Sequence, residues 1–311
     1  MKLRIHHRST YQYNSPVEFG VHKVRLFPRL HPFLTVSQYD LQTEPNSRIR
    51  WVQDDQGNHV AACDFGRKTA SCSVFTLSFD VTAPAFNPFD FILAPHATGY
   101  PFQYSAAELT SLAPYLDESA FSHAPFQCDR GKVIDWFYLN HQNPLKHDNL
   151  VSYLLEMVEL IRGKIAYSRR EEEGIQTPEA TISLGSGSCR DMTVLFIQLC
   201  REAGIATRFT SGYLYEPPAE GEPAAESNPQ CLTAAGAMHA WAEVYLPGAG
   251  WRGFCPTNGI LANEHFIPTA VSIYPEQTTP IDGAYFSKIP VTSTLDVQLE
   301  ISPLTAPTQR G

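Results

Sequence analysis

A cysteine at the start of a helix and a histidine in a later strand are the residues of this chain whose types could form a nucleophile and its base. Cys189 follows the glycine-containing segment Gly185–Ser188 and precedes an amphipathic pattern typical of a helix. The unpaired N–H groups and the partial positive charge of a helix N-terminus favour a thiolate over a thiol. If His239 lies beside this cysteine, the pair predicts acyl-transfer chemistry.

Local patterns predict the elements that must position these two residues. Ser188 as N-cap and Asp191 as its capping-box partner begin a helix at Cys189, and Gly204 ends it. Further helices are expected from Ser105 to Pro114 and from Asp148 onwards, where apolar residues follow the 3.6-residue period. Strands are expected at Thr207–Tyr215, Met238–Leu246, Trp251–Pro256 and Leu295–Ile301, and as a series over the first eighty or so residues.

Composition and charge exclude several classes of function. A net charge of −9 without a basic stripe does not fit a nucleic-acid-binding protein. No apolar run reaches the roughly 18 to 20 residues that cross a bilayer, and the N-terminus lacks the apolar stretch of a signal peptide. Seven cysteines without regular spacing suit a reducing compartment, so we expect a cytoplasmic protein that is not attached to a membrane. No cofactor motif is present, and no cofactor is predicted.

Three longer motifs together resemble those of the bacterial transglutaminase-like proteins, which are relatives of the papain-like thiol enzymes. They are Gly187–Asp191 at the head of a helix, Met238–Tyr245 and Gly250–Gly259. Upstream, Arg25–Arg29 and Asp55–Asn58 are similar to the β-rich domain that precedes the core in that family. The resemblance implies an α+β fold, in which an antiparallel β-sandwich-like domain precedes a papain-like transglutaminase core. The helix with the cysteine packs there on an antiparallel sheet with the histidine.

On this basis we expect three regions in the chain. Residues 1–84 form the N-terminal β domain, 85–290 the transglutaminase-like core, and 291–311 a C-terminal strand and tail. A segment rich in proline, alanine and glutamate within residues 216–236 predicts either a disordered loop or a flap over the site.

The resemblance also implies a cysteine–histidine–aspartate triad. Cys189 is then the nucleophile, His239 is the base, and the third residue orients the imidazole. In the family's pattern the third position is aspartate, but here it is Cys255. A neutral thiol is a weak hydrogen-bond acceptor and supplies no charge to stabilise an imidazolium.

Several interpretations of this substitution stay open. In the first, the enzyme works with a barrier that is higher by roughly 2 to 5 kcal/mol. In the second, the site is silent and the fold serves as a binding or scaffold module. In the third, Cys189, His239 and Cys255 form a Cys₂His metal site with an open position. A neighbour such as Asn258 or Glu243 that takes the orienting role is a further alternative.

An active site of this kind predicts a cysteine peptidase, an amidase or a transglutaminase-like acyltransferase. The thiolate attacks a carboxamide or peptide carbonyl, an amine leaves and a thioester forms, so the expected partner is a peptide or protein amide. Hydrolysis and transamidation both stay open. Candidates for the oxyanion site or the cleft wall are Tyr167, Ser188, Trp241 and Asn258.

Overall fold

The computed structural model describes residues 1–29, 33–117, 121–170, 174–217 and 237–304. Within these ranges the chain forms two large antiparallel sheets, one short parallel pair of strands and five α-helices, so the predicted α+β class is confirmed. The strands are β1 (Lys2–Val24), β2 (Thr35–Glu44), β3 (Arg48–Gln53), β4 (His59–Asp64), β5 (Thr69–Thr82), β6 (Ala166–Tyr167), β7 (Ser186–Gly187), β8 (Thr207–Leu214), β9 (Ala237–Leu246), β10 (Gly250–Cys255), β11 (Ile260–Leu261), β12 (Phe266–Ser272), β13 (Ile281–Phe286) and β14 (Ser293–Pro303). The helices are α1 (Ala106–Leu116), α2 (Arg130–Asn140), α3 (Leu150–Lys164), α4 (Pro178–Leu184) and α5 (Cys189–Glu202).

The first sheet is one curled layer built around the long strand β1. Its residues alternate between buried and more exposed positions, because successive side chains of a strand point to opposite faces. β5 and then β4 pair along one side of β1, β2 extends the sheet beyond β5, and β3 extends it beyond β4. Buried side chains of this sheet form an apolar core that includes Leu3, Ile5, Phe75, Leu77 and Phe79.

The last two strands of the described chain pair with the other side of β1. β14 pairs along Leu3–Tyr13, and β13 pairs along Glu18–Val24. The expected final strand at Leu295–Ile301 lies within β14. The boundaries at residues 84 and 290 stay a prediction, although Ile281–Phe286, which the sequence assigned to the core, belongs to the first sheet.

The second sheet has the strand order β11-β10-β9-β8-β12, and α5 packs on it. All residues of α5 from Asp191 to Arg201 are buried, so this helix is enclosed by the sheet and by the other helices. Phe196 of α5 faces Phe254 of β10, with ring centroids 6.0 Å apart. The predicted arrangement, in which the helix with the cysteine lies on the sheet with the histidine, is therefore present.

Buried polar contacts join the two sheets. The Nδ1 atom of His7 lies 3.1 Å from the hydroxyl of Tyr213 in β8. Asn58 is fully buried, and its amide donates to the carbonyl of Val271 in β12 and accepts from the N–H of the same residue, both at 2.8 Å. Because a buried polar group without a partner is costly, these contacts fix how β12 and β8 lie against the first sheet.

Some elements were not predicted, and one segment falls outside the description. Helices α2 and α4 were not predicted, because they bury few side chains and so leave little periodic signal in the sequence. Helix α1 was expected to end at Pro114 but continues to Leu116. Residues 218–236 of the predicted loop or flap lie outside the described residues. No helix in the described ranges is both long and apolar enough to cross a membrane.

We expect Asn58→Ala to lower the free energy of unfolding by about 2 to 4 kcal/mol, because it leaves the N–H and the carbonyl of Val271 buried without partners. The measurement is equilibrium unfolding in urea. Asn14→Ala is the matched control, since Asn14 is exposed and its side chain accepts one hydrogen bond, from the N–H of Thr292. Equal losses for the two variants would contradict the proposed role of Asn58.

Candidate active site

One buried carboxylate holds the segment that precedes α5. Asp191 is fully buried, and it accepts hydrogen bonds from both the N–H and the hydroxyl of Ser188 at 2.8 Å. It also accepts the backbone N–H of Gln176 at 2.7 Å and lies 3.0 Å from the guanidinium of Arg170. Ser188 therefore precedes the helix as the capping pattern predicted, and Cys189 occupies the first helical position. The ion pair with Arg170 was not predicted.

Gly187 lets the chain pass close to this carboxylate. A Cβ atom at position 187 would lie 2.9 Å from the Cβ of Asp191, which is closer than real Cβ atoms approach. β7 pairs in parallel with β6, and the N–H of Ser168 donates to the carbonyl of Gly187 at 2.9 Å. This pairing brings Tyr167 beside the start of α5.

The first turn of α5 lies against an open edge of β9. The pairing of β10 with β9 ends at Phe254 and Ala242, so no strand among the described residues pairs with that edge of β9 at Ala240. There the Thr193 hydroxyl donates to the carbonyl of Ala240 at 3.2 Å, and the N–H of Ala240 donates to the sulfur of Cys189. Cys189 is partly exposed and lies beside the residue that follows His239.

The surroundings of Cys189 act on the pKa of its thiol in opposite directions. Burial raises its pKa, and this effect exceeds the lowering by the backbone N–H groups of Ala240 and Arg190 and by the charge of Arg190. The N–H groups at the helix N-terminus do favour the thiolate, as the sequence led us to expect, but desolvation opposes the charged form. A reactive thiolate at Cys189 therefore stays a prediction.

His239 and Cys255 lie in direct contact. The Nε2 atom of His239 is 3.2 Å from the sulfur of Cys255, and both residues are buried. Burial lowers the pKa of His239 to about 4 and raises the pKa of Cys255 to about 12. The imidazole and both thiols are therefore uncharged at neutral pH.

Backbone N–H groups surround the sulfur at the third position of the predicted triad. The N–H groups of Thr257 and Asn258 donate to the sulfur of Cys255 and lower its pKa, although burial outweighs them. Such converging N–H groups are suited to an anion. A thiol can also donate its proton to Nε2 of His239 or accept one from it, so it does not determine the tautomer of the ring.

The nitrogen of His239 that would receive a proton from Cys189 has no competing bond. Its Nδ1 atom is buried and has no hydrogen-bond partner among the described residues. Within the same residues no hydrogen bond joins Nδ1 to Cys189, so the two must draw closer before a proton passes between them. Catalytic hydrogen bonds in enzymes without substrate are often long and tighten when substrate binds.

The metal-site alternative is not supported. A zinc ion needs its nitrogen and sulfur donors about 2.0 to 2.3 Å from one point. In the described part of the chain no three His, Cys, Asp or Glu side chains are arranged to hold a metal ion, and this includes Cys189, His239 and Cys255. One ring nitrogen of His239 instead faces Cys255 directly.

The remaining candidates occupy different places. Tyr167 is close enough to Cys189 for the thiol to affect its pKa, which burial raises. The ring of Trp241 stacks beside that of His239 at a centroid distance of 6.3 Å. The carboxylate of Glu243 forms an ion pair with Arg208 at 2.6 Å, so it is not directed at His239 as an orienting residue. Asn258 donates its backbone N–H to the sulfur of Cys255.

Two protein families match separate regions of the chain. Residues 3–82 match the bacterial transglutaminase-like N-terminal region, and residues 142–256 match the transglutaminase-like superfamily. The second match contains Cys189, His239 and Cys255. These matches agree with the resemblance that the sequence motifs indicated.

Individual relatives extend over nearly the whole chain. The uncharacterized protein ML0607 of Mycobacterium leprae (strain TN) is 25% identical over 303 residues, which are 97% of this chain and 99% of that protein. A crystal structure of a provisionally assigned cysteine protease from Cytophaga hutchinsonii superposes with a TM-score of 0.68 at 19% identity, and covers 98% of this chain and 91% of its own. The similarity to the Cytophaga hutchinsonii structure concerns the fold alone.

We expect iodoacetamide to label Cys189 with an inflection above the free-thiol value of about 8.5, because burial raises its pKa and His239 is uncharged. Peptide mass mapping between pH 5 and pH 11 gives the rate at each cysteine. Cys72, which is also partly exposed but lies in β5, is the internal reference. An inflection well below 8.5 would instead indicate a thiolate–imidazolium pair.

Proposed function

We propose that this chain, whose residues 3–82 match the bacterial transglutaminase-like N-terminal region and whose residues 142–256 match the transglutaminase-like superfamily, transfers acyl groups from amides through a Cys189 thioester. The observation that carries the proposal is the meeting of two features at the open edge of β9. A partly exposed thiol begins the buried helix α5, and His239 in β9 has an Nδ1 atom without a hydrogen-bond partner among the described residues.

In the proposed first half-reaction, His239 acts as the base. The Nδ1 atom takes the proton of Cys189 as the sulfur attacks the carbonyl carbon of an amide. The resulting imidazolium then protonates the nitrogen of the leaving amine, the C–N bond breaks, and the acyl group remains on the sulfur as a thioester. Proton transfer starts from a neutral pair, because the pKa of Cys189 is raised and that of His239 is about 4.

The start of α5 supplies donors for the tetrahedral intermediate. The backbone N–H of Cys189 lies at a helix N-terminus, where no helical acceptor satisfies it. Tyr167 is the candidate for a second donor. Burial raises the pKa of its hydroxyl, so the group stays protonated and able to donate to an oxyanion.

In the second half-reaction, water or a second amine attacks the thioester. His239 takes a proton from the incoming nucleophile, and the regenerated thiol recovers one when the C–S bond breaks. Water gives hydrolysis and an amine gives transamidation, so both outcomes use the same residues. We propose a peptide or protein amide as the acyl donor.

Cys255 limits the rate in this proposal. An acidic residue would fix the proton of His239 on Nε2 and would stabilise the imidazolium formed during attack. The thiol does neither. Its pKa is about 12, so it carries no charge, and it can either donate a proton to Nε2 of His239 or accept one from it. The barrier is then higher by roughly 2 to 5 kcal/mol, with the loss of the aspartate from a serine triad as the upper guide.

The rival function is a silent binding module. It is favoured by the uncharged site and by the lack of a hydrogen bond between Cys189 and His239 among the described residues. Under this alternative the fold is kept for recognition of a partner, and restoration of the acidic residue brings no turnover. The variants Cys189→Ala and Cys255→Asp separate the enzyme from the binding module.

We expect Cys189→Ala to abolish turnover, a loss of at least about a thousandfold, because no other group forms the thioester. The assay measures release of ammonia or amine from casein and from glutamine-containing peptides, together with incorporation of monodansylcadaverine. Cys72→Ala is the matched control, since this partly exposed cysteine lies in β5 away from the site. Unchanged turnover in Cys189→Ala would rule out the proposed chemistry.

We expect Cys255→Asp to raise kcat about tenfold or more, because a carboxylate fixes the tautomer of His239 and stabilises its charged form. The same change raises the pKa of His239 above 4, so the acidic limb of the kcat/KM profile moves to higher pH.

Two neutral variants at position 255 serve as controls. Cys255→Asn provides an acceptor without charge, so we expect a smaller gain with no shift of the acidic limb. Cys255→Ser keeps a group that both donates and accepts, and should show no gain. Folded Cys255→Asp protein without any gain would favour the silent module.

A further inference from the structure

The strand β14 forms an open edge of the first sheet. It is 11 residues long and pairs with β1 in an unbroken register from Leu3 to Tyr13. No other strand in the described part of the chain pairs with it, so its outer side has no neighbouring strand there. Such an edge presents a row of N–H and C=O groups to any chain that can pair with it.

The strands at the two ends of this sheet, β2 and β3, have features that discourage pairing. β2 contains an irregularity, seen as a register shift between Ser37 and Asp40. β3 has six residues, and two of them are Arg48 and Arg50. Bulges, short length and charged side chains are common means by which proteins protect sheet edges. β14 differs, because its register is continuous and it contains no lysine, no arginine and no proline before Pro303.

The backbone groups that point to the open edge belong to alternate residues of β14. Just before this strand, the N–H of Asn14 donates to the carbonyl of Thr292, and just after it the N–H of Leu304 donates to the carbonyl of Lys2. Hydrogen-bonded positions recur at every second residue of an antiparallel pair, so the even-numbered residues of β14 bond to β1. The odd-numbered residues point their N–H and C=O groups outward. They include Leu295, Val297, Leu299 and Ile301.

The side chains of these odd-numbered residues form an apolar row that is only partly covered. They lie on the same face of the sheet as Ile5 and His7, which is the face of the core. Ile301 is buried, but Val297 is 47% exposed and Leu295 is 53% exposed. The first half of the strand therefore presents both free backbone groups and apolar side chains to solvent.

One antiparallel register lets two copies of β14 pair with matched side chains. A two-fold axis through Val297 places Leu295 of one copy opposite Leu299 of the other, so apolar side chains meet. On the opposite face Asp296 then lies across from Gln298 of the second copy, whose amide can donate to the carboxylate. The outward N–H and C=O groups of the odd-numbered residues bond to one another in this register.

Neighbouring registers are less favourable. An axis through Asp296 or through Gln298 sets Asp296 opposite a carboxylate of the second copy, its own equivalent or Glu300, and opposed like charges are destabilising. An axis through Leu299 places Pro303 at a position that needs an outward N–H, which proline lacks. An axis nearer the start of β14 leaves fewer residues to pair. The sequence of the strand therefore favours one symmetric arrangement.

We propose that two copies of this chain associate through β14 into a two-fold symmetric dimer with one continuous sheet. The pairing uses the same edge of each copy, so it closes at two chains and does not extend into a fibre. It covers the exposed parts of Leu295 and Val297. A single strand offers less area than a standard interface, so we expect a Kd in the micromolar range. The dimer is independent of the thioester chemistry proposed for Cys189.

Sedimentation velocity of the full chain tests the association. Between about 1 and 300 µM we expect the weight-average mass to rise from that of one chain towards that of two. Val297→Lys should weaken association about tenfold, because it sets two ammonium groups opposite each other at the axis. Val52→Lys is the matched control, since Val52 is 50% exposed in β3, and it should associate like the unaltered chain.

Cysteine cross-linking tests the register. At the axis the Cα atoms of the two copies of position 297 lie about 5.5 Å apart, within the range for a disulfide. We expect Val297→Cys to form this cross-link when it is oxidised with copper phenanthroline, and peptide mass mapping identifies the linked peptide. Leu295→Cys is the matched control, because its two copies are separated by about 13 Å along the strands and should not link.

Four results would overturn the proposal. They are the mass of one chain over the whole concentration series, a mass that rises beyond two chains, equal effects of Val297→Lys and Val52→Lys, and equal cross-linking of Val297→Cys and Leu295→Cys. The first two need no variant, so the proposal stays testable even if a substituted chain fails to fold.

Discussion

The hydrogen bonds of the buried Asp191 carboxylate determine where α5 begins and where Cys189 lies. A fully buried carboxylate is tolerated only when its oxygens are paired, and here Ser188, Gln176 and Arg170 supply the donors. Three segments that are separate in sequence thus meet at the first turn of one helix. The pairing of β6 with β7 and the contact of α5 with β9 both depend on these hydrogen bonds of Asp191.

The same site surrounds an uncharged group with contacts that would also suit a charged one. The backbone N–H groups of Thr257 and Asn258 converge on the sulfur of Cys255, and Nε2 of His239 faces the same atom. A carboxylate at that point would fix both the charge and the tautomer of the ring. A thiol fixes neither, so the two groups would differ at this point in charge and in the ability to donate a proton.

The sequence predicted the parts of the site that local interactions determine. The helix at Cys189, its capping residues and the strand of His239 follow from signals within a few residues, and the structure contains all three. The protonation state of Cys189 could not be predicted, because burial depends on elements distant in sequence. The ion pair of Arg170 with Asp191 spans 21 residues without any periodic signal.

The position of β1 between early and late strands has a consequence for biosynthesis. One side of β1 pairs with β5 and β4, which follow it closely, but among the described strands its other side pairs with β13 and β14 alone. At 5–20 residues per second, these two strands leave the ribosome on the order of ten seconds to a minute after β1. During that interval a long strand edge is unpaired, and such edges invite pairing with other chains. A nascent chain therefore needs shielding at this edge, from a chaperone or from its own helices, until β13 and β14 have been synthesised.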